Sequence, residues 1–207
     1  MYQPEGNYFD KYNNKGFFVR KIMKGFFESY AALLTQTLDI KTVLEAGCGE
    51  GEVTRFIYKM IKPERMVAFD ISKKVISEAE ERASNDGLTG KIDFRIGSIY
   101  EIDDLNNDLV VCSEVLEHMD DPEKALEELK KASGGNGYIL VSVPREPIWR
   151  ILNMARGKYI GNLGNTPGHV NHWSKRSFLA FLKNGGIEIV DVRSPLPWTV
   201  VLGKVNR

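Results

Sequence analysis

The sequence predicts a doubly wound α/β fold with a mostly parallel seven-stranded sheet, an antiparallel C-terminal strand and an N-terminal helical lid. Between residues 42 and 143, short apolar segments alternate with amphipathic helical segments. Such alternation is typical of parallel strands, because each helix carries the chain back across the sheet. The last two apolar segments follow one another without a helix, which favours an antiparallel pair. A chain of 207 residues with 43% hydrophobic content suits one domain with a full core.

The pattern places each element in turn. Strands are predicted at 42–46, 66–70, 91–96, 108–113, 137–143, 187–192 and 198–205. Helices are predicted at 18–38, 52–61, 72–86, from Pro122 to Gly134, and at 174–183. Ser72, Asp120 or Asp121, and Ser174 are the predicted N-caps, and Pro122 suits a first helical turn.

Three parts of the chain are distinguished. Residues 1–40 form the predicted lid, with Tyr12 as a candidate to cover a ligand, and residues 41–207 form the main domain. Within that domain, residues 145–172 are an insertion between a strand and a helix, and long insertions in compact domains are often functional. The insertion is basic and aromatic, which fits a solvated face, an anionic acceptor or a nucleic-acid segment.

Charge and cysteine content indicate which partners and which cellular compartment to expect. Lys plus Arg and Asp plus Glu are both 28, and this zero formal charge disfavours nucleic acid as a partner. Cys48 and Cys112 are expected to be free thiols, which favours the cytoplasm. No signal peptide is expected at the start, and no apolar segment is long enough to span a membrane. The oligomeric state is not predicted.

A glycine-rich turn follows the first predicted strand. Glu45 stands near the strand's end, and Gly47, Gly49 and Gly51 alternate before a helix begins. Glycine lets a backbone approach a ligand closely, and a helix N-terminus directs N–H groups at the same spot. Asp70 ends the next strand, where a carboxylate can accept hydrogen bonds from a ribose. The pattern therefore indicates a nucleoside site.

These motifs, together with the segment from Asp108 to His118, resemble the class I S-adenosylmethionine-dependent methyltransferases. The resemblance covers residues 40–205 and extends to the ubiquinone-biosynthesis-type and type 11–12 group within this class. It implies that S-adenosylmethionine is the cofactor, with S-adenosylhomocysteine as product. The cofactor-binding residues that it implies are Glu45, Gly47, Cys48, Gly49, Gly51, Asp70, Ile71, Ser98, Ile99 and Ser113. Ser98 stands where the family often has an acidic residue near the adenine.

The histidines and their acidic neighbours are the catalytic candidates, in the order His118, Glu114 and His169. Glu114, Glu117 and His118 share one face if their segment is helical. They resemble the Glu-x-x-Glu-His element of quinone-biosynthesis O-methyltransferases and small-RNA 2′-O-methyltransferases, which use a divalent metal. We expect no metal here, and those three residues are the candidate ligands if one binds.

The predicted function is methyl transfer from S-adenosylmethionine to an unidentified small-molecule acceptor. Three alternatives stay open at this stage. They are an RNA 2′-O-methyltransferase with a Glu/Glu/His metal site, a non-catalytic cofactor-binding scaffold, and a nicotinamide-dependent oxidoreductase. Glu52 occupies the place of the third glycine in the dinucleotide fingerprint G-x-G-x-x-G, which disfavours the oxidoreductase.

Overall fold

The computed structural model describes residues 17–37 and 39–205, and for Phe17 and Phe18 it describes the backbone only. Its seven strands are β1 (Thr42–Ala46), β2 (Arg65–Asp70), β3 (Asp93–Ile96), β4 (Leu109–Ser113), β5 (Tyr138–Pro144), β6 (Ile187–Arg193) and β7 (Trp198–Val205). The helices are α1 (Phe17–Leu34), α2 (Glu52–Ile61), α3 (Lys73–Asn85), α4 (Pro122–Ala132), α5 (Ile148–Ala155) and α6 (Lys175–Asn184). Tyr12 and the rest of residues 1–16 lie outside the described residues.

The sheet confirms the predicted fold class. Its strand order is β3-β2-β1-β4-β5-β7-β6, and β7 runs antiparallel to both β5 and β6. All the other neighbouring pairs are parallel. The chain leaves β1 toward β2 on one side and later returns to place β4 on the other side. The order therefore reverses between β1 and β4, where ligands bind in open α/β sheets.

Two apolar layers cover the sheet, because successive strand residues point to opposite faces. Val43, for example, packs with α1 and α2, whereas Leu44 packs with α4 and α6. On the second face, Phe178 and Leu182 of α6 are fully buried against the strands. The core therefore holds the carboxyl ends of the central strands in fixed positions.

Helix α1 is part of this core. Met23, Phe26, Tyr30 and Leu33 are buried and belong to the layer that covers Val43 and β7. The helix ends at Leu34, before the predicted end at residue 38. Thr35 and Thr37 follow it, and their hydroxyls donate to backbone carbonyls three residues earlier. Such local bonds compete with continuation of the helix.

Two of the three predicted N-cap residues form the expected side-chain bond to a backbone amide. Asp121 accepts from the Lys124 amide at the start of α4, and Ser174 accepts from the Ser177 amide at α6. Ser72 occupies the N-cap of α3, but its side chain makes no capping bond. Instead, the Ser72 amide donates to the carboxylate of Asp70 at 3.0 Å.

Further differences from the sequence prediction occur at β3 and in the insertion. Strand β3 begins at Asp93 rather than at residue 91, and the insertion contains the unpredicted helix α5. Across residues 17–37 and 39–205, no helix combines the length and the apolar character needed to cross a bilayer.

Replacing Phe178 with Ala should lower the free energy of unfolding by about 3–5 kcal/mol, because a large, fully buried ring leaves a cavity. Urea denaturation measures the change. Leu105→Ala is the control, since Leu105 is exposed and should change stability by no more than about 0.5 kcal/mol. Equal losses in the two variants would contradict this account of the core.

Candidate active site

The glycine turn after β1 is tied to the end of β2 by three backbone donors. The amides of Gly47 and Cys48 both donate to the Phe69 carbonyl, at 2.8 and 3.0 Å. The Gly49 amide donates to one carboxylate oxygen of Asp70, and the Ser72 amide donates to the other, both at 3.0 Å. Asp70 therefore fixes the turn and the start of α3 relative to each other.

The three glycines have different roles, although all have positive φ angles. A Cβ on Gly47 would lie 2.4 Å from a methyl group of Val115, and one on Gly51 would lie 3.1 Å from the Cβ of Ala79. Gly49 faces open space, with nothing within 4 Å of a built Cβ. Gly47 and Gly51 therefore allow close packing, whereas Gly49 presents bare backbone to the cleft.

The cleft lies beyond the carboxyl ends of β1, β2 and β4. Nine of the ten predicted cofactor-binding residues line it: Glu45, Gly47, Cys48, Gly49, Asp70, Ile71, Ser98, Ile99 and Ser113. Gly51 is not among the lining residues; it lies at the N-cap of α2 and packs against α3. Of the catalytic candidates, His118 and Glu114 line the cleft and His169 does not.

The carboxylic side chains that line the cleft outnumber its basic groups, although one of them, Glu52, forms ion pairs with Arg55 and Arg82. The cleft is lined by five carboxyl groups, those of Glu45, Glu50, Glu52, Asp70 and Glu114. None of its described lining residues is Lys or Arg. A pyrophosphate would meet these acids without a cationic partner, whereas a cationic ligand suits them. The electrostatics of the cleft therefore favour a cation over a dinucleotide.

Glu45 is the most buried of these acids, with 1% of its surface exposed. Burial is the main cause that raises the pKa of Glu45 to about 8. A hydrogen bond from the Thr54 hydroxyl lowers this pKa, and the negative charge of Asp70 raises it further. One carboxyl oxygen of Glu45 has no hydrogen-bond partner among the described residues. Burial also raises the pKa of Asp70, which its amide donors partly offset. The cleft thus holds a buried acid with one oxygen that lacks a donor.

Glu114 is held by the two strands beside it. Its carboxylate accepts from the Ser142 hydroxyl of β5 at 3.2 Å and from the Trp198 indole N–H of β7. The residue has a φ of 59°, the left-handed region. Glu114 precedes a short 3₁₀ helix, Leu116–His118, so Glu114, Glu117 and His118 do not lie on one helix and the face that a helix would give them does not form.

A different trio of ligand atoms comes together. Atoms of Glu117, His118 and His169 lie within 4.8 Å of one another, and Glu114 is not in this group. The rings of His118 and His169 meet edge to face with centroids 4.8 Å apart, and Trp149 stacks on His169 at 5.8 Å. The insertion therefore brings His169 to the histidine at the cleft.

His118 has a defined tautomer. Its Nδ1 lies 2.9 Å from the carbonyl oxygen of Gly168, which can only accept a hydrogen bond. Nδ1 therefore carries the proton in the neutral ring and donates it. Nε2 is left with a lone pair, so His118 can accept a proton or bind a metal through that nitrogen.

The remaining predicted residues are held by neighbouring groups. The Ser113 hydroxyl forms a 2.6 Å hydrogen bond with the hydroxyl of Tyr30, a fully buried residue of α1. Ser98 accepts from the Tyr100 amide at 3.2 Å, and Ile99 is buried at the cleft wall. Cys48 and Cys112 are buried free thiols whose pKa values are raised by burial.

Sequence reasoning missed several residues that support the site. Trp198 and Ser142 hold Glu114, Trp149 supports His169, and Val115 packs on Gly47. All come from segments distant in sequence from the residues they support. A sequence pattern alone gives no signal for these pairs, because the sheet order brings them together.

Comparison with known proteins identifies the family. A family model described as a methyltransferase domain matches residues 39–184 of the chain. The chain belongs to the class I S-adenosylmethionine-dependent methyltransferases. A ubiquinone biosynthesis O-methyltransferase of Xanthomonas euvesicatoria is 25% identical over 75% of this chain and 67% of its own. An uncharacterized methyltransferase of Schizosaccharomyces pombe is 32% identical over 47% of this chain.

Solved structures share the fold. The magnesium protoporphyrin IX methyltransferase of Synechocystis, solved with bound S-adenosylhomocysteine, has a TM-score of 0.70 at 19% identity and covers 94% of this chain and 89% of its own. A methyltransferase of Aquifex aeolicus has a TM-score of 0.69 at 19% identity, covering 90% and 97%. An uncharacterized protein of Synechococcus is 34% identical over 48% of this chain. The matches to this protein and to the Schizosaccharomyces pombe methyltransferase span only 25% and 37% of those proteins' lengths.

The cleft fits S-adenosylmethionine as its cofactor. Gly49 leaves bare backbone facing the cleft, and the carboxylate of Asp70 lines the cleft at the end of β2, where it can accept hydrogen bonds from hydroxyl groups. The Glu45 oxygen without a donor can accept a hydrogen bond from an ammonium group. The cleft's carboxyl groups suit the positive charge of the sulfonium. The predicted cofactor is therefore in agreement with the donors and the charge of the site.

Replacing Gly49 with Leu should weaken S-adenosylhomocysteine binding by about tenfold or more, because the side chain would enter the cleft. Calorimetry measures the affinity. Gly90→Leu is a matched control: Gly90 also has a positive φ and open space around it, and it lies between α3 and β3. An unchanged affinity in Gly49→Leu, or an equal loss in both variants, would show that Gly49 does not face the cofactor.

Proposed function

We propose that the chain methylates a hydroxyl group of a small-molecule acceptor, with His118 as the general base. The single observation that carries this proposal is the His118 geometry: Nδ1 donates to the Gly168 carbonyl, and the ring lines the cofactor cleft. A base at this place can remove the proton that a hydroxyl must lose. Testing for S-adenosylhomocysteine formation across a panel of phenols and alcohols would identify the acceptor.

When bound, the cofactor supplies an electrophilic methyl group on a sulfonium. The chain's own residues bind, orient and deprotonate. Asp70 and Glu45 hold the ligand's ribose and amino group in this proposal, and the buried wall at Ile99 excludes water. Glu114 is fixed by Ser142 and Trp198, so it acts as an electrostatic neighbour of the acceptor rather than as a mobile base. Most of the rate enhancement then comes from alignment of the acceptor.

His169 acts through His118 in this proposal. Its buried ring stands between Trp149 and His118, and it does not line the cleft. It therefore orients the base rather than touching the acceptor. The insertion that carries Trp149 and His169 would shape the acceptor pocket. We place the reaction in the cytoplasm, with support from the two free thiols.

His118→Ala should lower turnover by about 10²- to 10⁴-fold, because an alcohol then loses its proton acceptor. Affinity for S-adenosylhomocysteine should stay nearly constant. His172→Ala is the control, since His172 faces Glu146 at 3.7 Å and is not part of the cleft lining. Wild-type turnover in His118→Ala would remove His118 from the mechanism. A parallel loss of cofactor affinity would show a binding role instead.

Cofactor binding near pH 7 should release a proton from Glu45. In the free protein its pKa of about 8 keeps the carboxyl protonated, and a cation placed beside it lowers that pKa. Affinity should therefore rise with pH up to about 8 and then level off. Calorimetry in buffers of different ionisation enthalpy counts the protons. Glu45→Gln should release fewer protons than the wild type, and an equal count would contradict the pairing.

A second candidate function is metal-assisted methylation, including that of an RNA 2′-hydroxyl. It is favoured by the Glu117, His118 and His169 cluster, whose carboxylate and imidazole donors suit a divalent cation. His118 would bind through Nε2, because Nδ1 donates to Gly168. The non-catalytic scaffold is the other alternative, and detectable turnover of any acceptor would exclude it.

Removal of metals by a chelator should leave turnover unchanged if His118 works as a base. The measurement compares activity before chelation, after dialysis, and after addition of Mg²⁺, Mn²⁺ or Zn²⁺. Loss of turnover that one of these ions restores would favour the metal-assisted alternative. In that case Glu117→Gln should abolish the response to the metal, because the cluster loses its only carboxylate.

A further inference from the structure

The insertion has an unusual surface composition. The described residues include eleven exposed large hydrophobic side chains. Five of them lie inside the insertion, between residues 151 and 170: Ile151, Met154, Ile160, Leu163 and Val170. We call Ile151, Met154, Ile160 and Leu163 the insertion surface. Single exposed apolar residues are normal, but concentration in one segment marks an interaction site.

These side chains are exposed on an ordered scaffold. The buried Asn153 of α5 donates to the Gly164 carbonyl at 2.9 Å and to the Thr166 hydroxyl at 3.1 Å. Arg150 donates to the Leu163 carbonyl at 3.1 Å. The loop after α5 is therefore folded back onto the helix, with its backbone groups bonded. Ile151 and Met154 are three residues apart in α5, so they share a face.

The stretch of sequence that carries this surface is rich in basic residues, and Glu146 is the acid that directly precedes it. From residue 147 to residue 187 the chain contains no Asp or Glu, although its overall formal charge is zero. The same stretch contains six basic residues: Arg150, Arg156, Lys158, Lys175, Arg176 and Lys183. Aliphatic side chains beside lysine and arginine, without acids, are the composition of a surface that lies on anionic lipid.

We propose that the insertion surface attaches the protein peripherally to an anionic lipid bilayer. The aliphatic side chains enter the headgroup boundary, and the basic side chains neutralise lipid phosphates. Nucleic acid would also attract the basic residues, but single strands are bound by stacking on aromatic side chains. The exposed large side chains here are aliphatic, which favours acyl chains over bases.

Attachment would place the cleft close to the lipid. Trp149, in the same helix as Ile151, stacks on His169, and His169 meets His118 at the cleft. An acceptor held in the bilayer boundary would therefore reach His118 without crossing bulk water. Vesicle binding requires neither cofactor nor acceptor, so its outcome is independent of the proposed methyl transfer.

Co-sedimentation of the full chain with vesicles tests the proposal. We expect binding to equimolar phosphatidylcholine and phosphatidylglycerol, and weaker binding to phosphatidylcholine alone. Ile151→Gln combined with Leu163→Asn should weaken binding by about tenfold or more; asparagine tolerates the positive φ of Leu163. Met60→Gln with Leu105→Asn is the matched control, since it removes two exposed apolar residues outside the insertion.

The charge contribution is tested by a second pair of variants. Arg156→Gln with Lys158→Gln should also weaken binding by about tenfold or more, and high salt should weaken wild-type binding. Lys74→Gln with Lys91→Gln is the control, because both lysines are exposed and lie in α3 or the loop before β3. Circular dichroism shows whether each variant is folded.

Three outcomes would overturn the proposal. The first is absence of wild-type binding to anionic vesicles. The second is equal binding by the insertion variants and their controls, all folded. The third is displacement of the wild type from vesicles by a single-stranded oligonucleotide. If the affinity for this oligonucleotide depends on Arg156 and Lys158 but not on Ile151 and Leu163, the surface binds nucleic acid rather than lipid.

Discussion

The hydrogen bond from the Gly49 amide to the Asp70 carboxylate is the contact on which the site depends. It joins the turn after β1 to the end of β2, and the Ser72 amide extends the same carboxylate's bonds to α3. Two neighbouring strands are thereby fixed at their carboxyl ends. Gly49 has no side chain, so the space beside its backbone in the cleft stays open. Binding and rigidity therefore come from one short segment.

The electrostatics of the cleft add selectivity to this geometry. Five carboxyl groups and no lysine or arginine line the described cleft, so a positively charged cofactor is favoured over a pyrophosphate. Glu45 is the extreme case, since burial holds its pKa near 8 and one oxygen has no donor. Such a group is unfavourable in the free protein and gains a partner when a cation binds. The destabilised acid is therefore consistent with a binding role.

Much of the fold could be predicted from the sequence, because alternating strands and helices have distinct periods and the direct β6–β7 connection indicates an antiparallel pair. Nine of the ten residues predicted to bind the cofactor line the cleft, because they lie in short local segments at strand ends, and their contact with the cofactor stays a prediction. Gly51 shows the limit of that reasoning: its spacing matches the motif, but its neighbour Ala79 gives it a packing role. The pairings of Trp198 with Glu114 and of His169 with His118 depend on long-range topology, which the local pattern does not contain.

The most direct test of the central claim is side-by-side calorimetry of S-adenosylhomocysteine and NAD with the wild-type chain. We expect saturable binding of S-adenosylhomocysteine and no detectable binding of NAD, because the described lining of the cleft offers carboxyl groups and bare backbone but no lysine or arginine for a pyrophosphate. Binding of NAD in place of S-adenosylhomocysteine would contradict the claim. So would absence of S-adenosylhomocysteine binding by the folded protein.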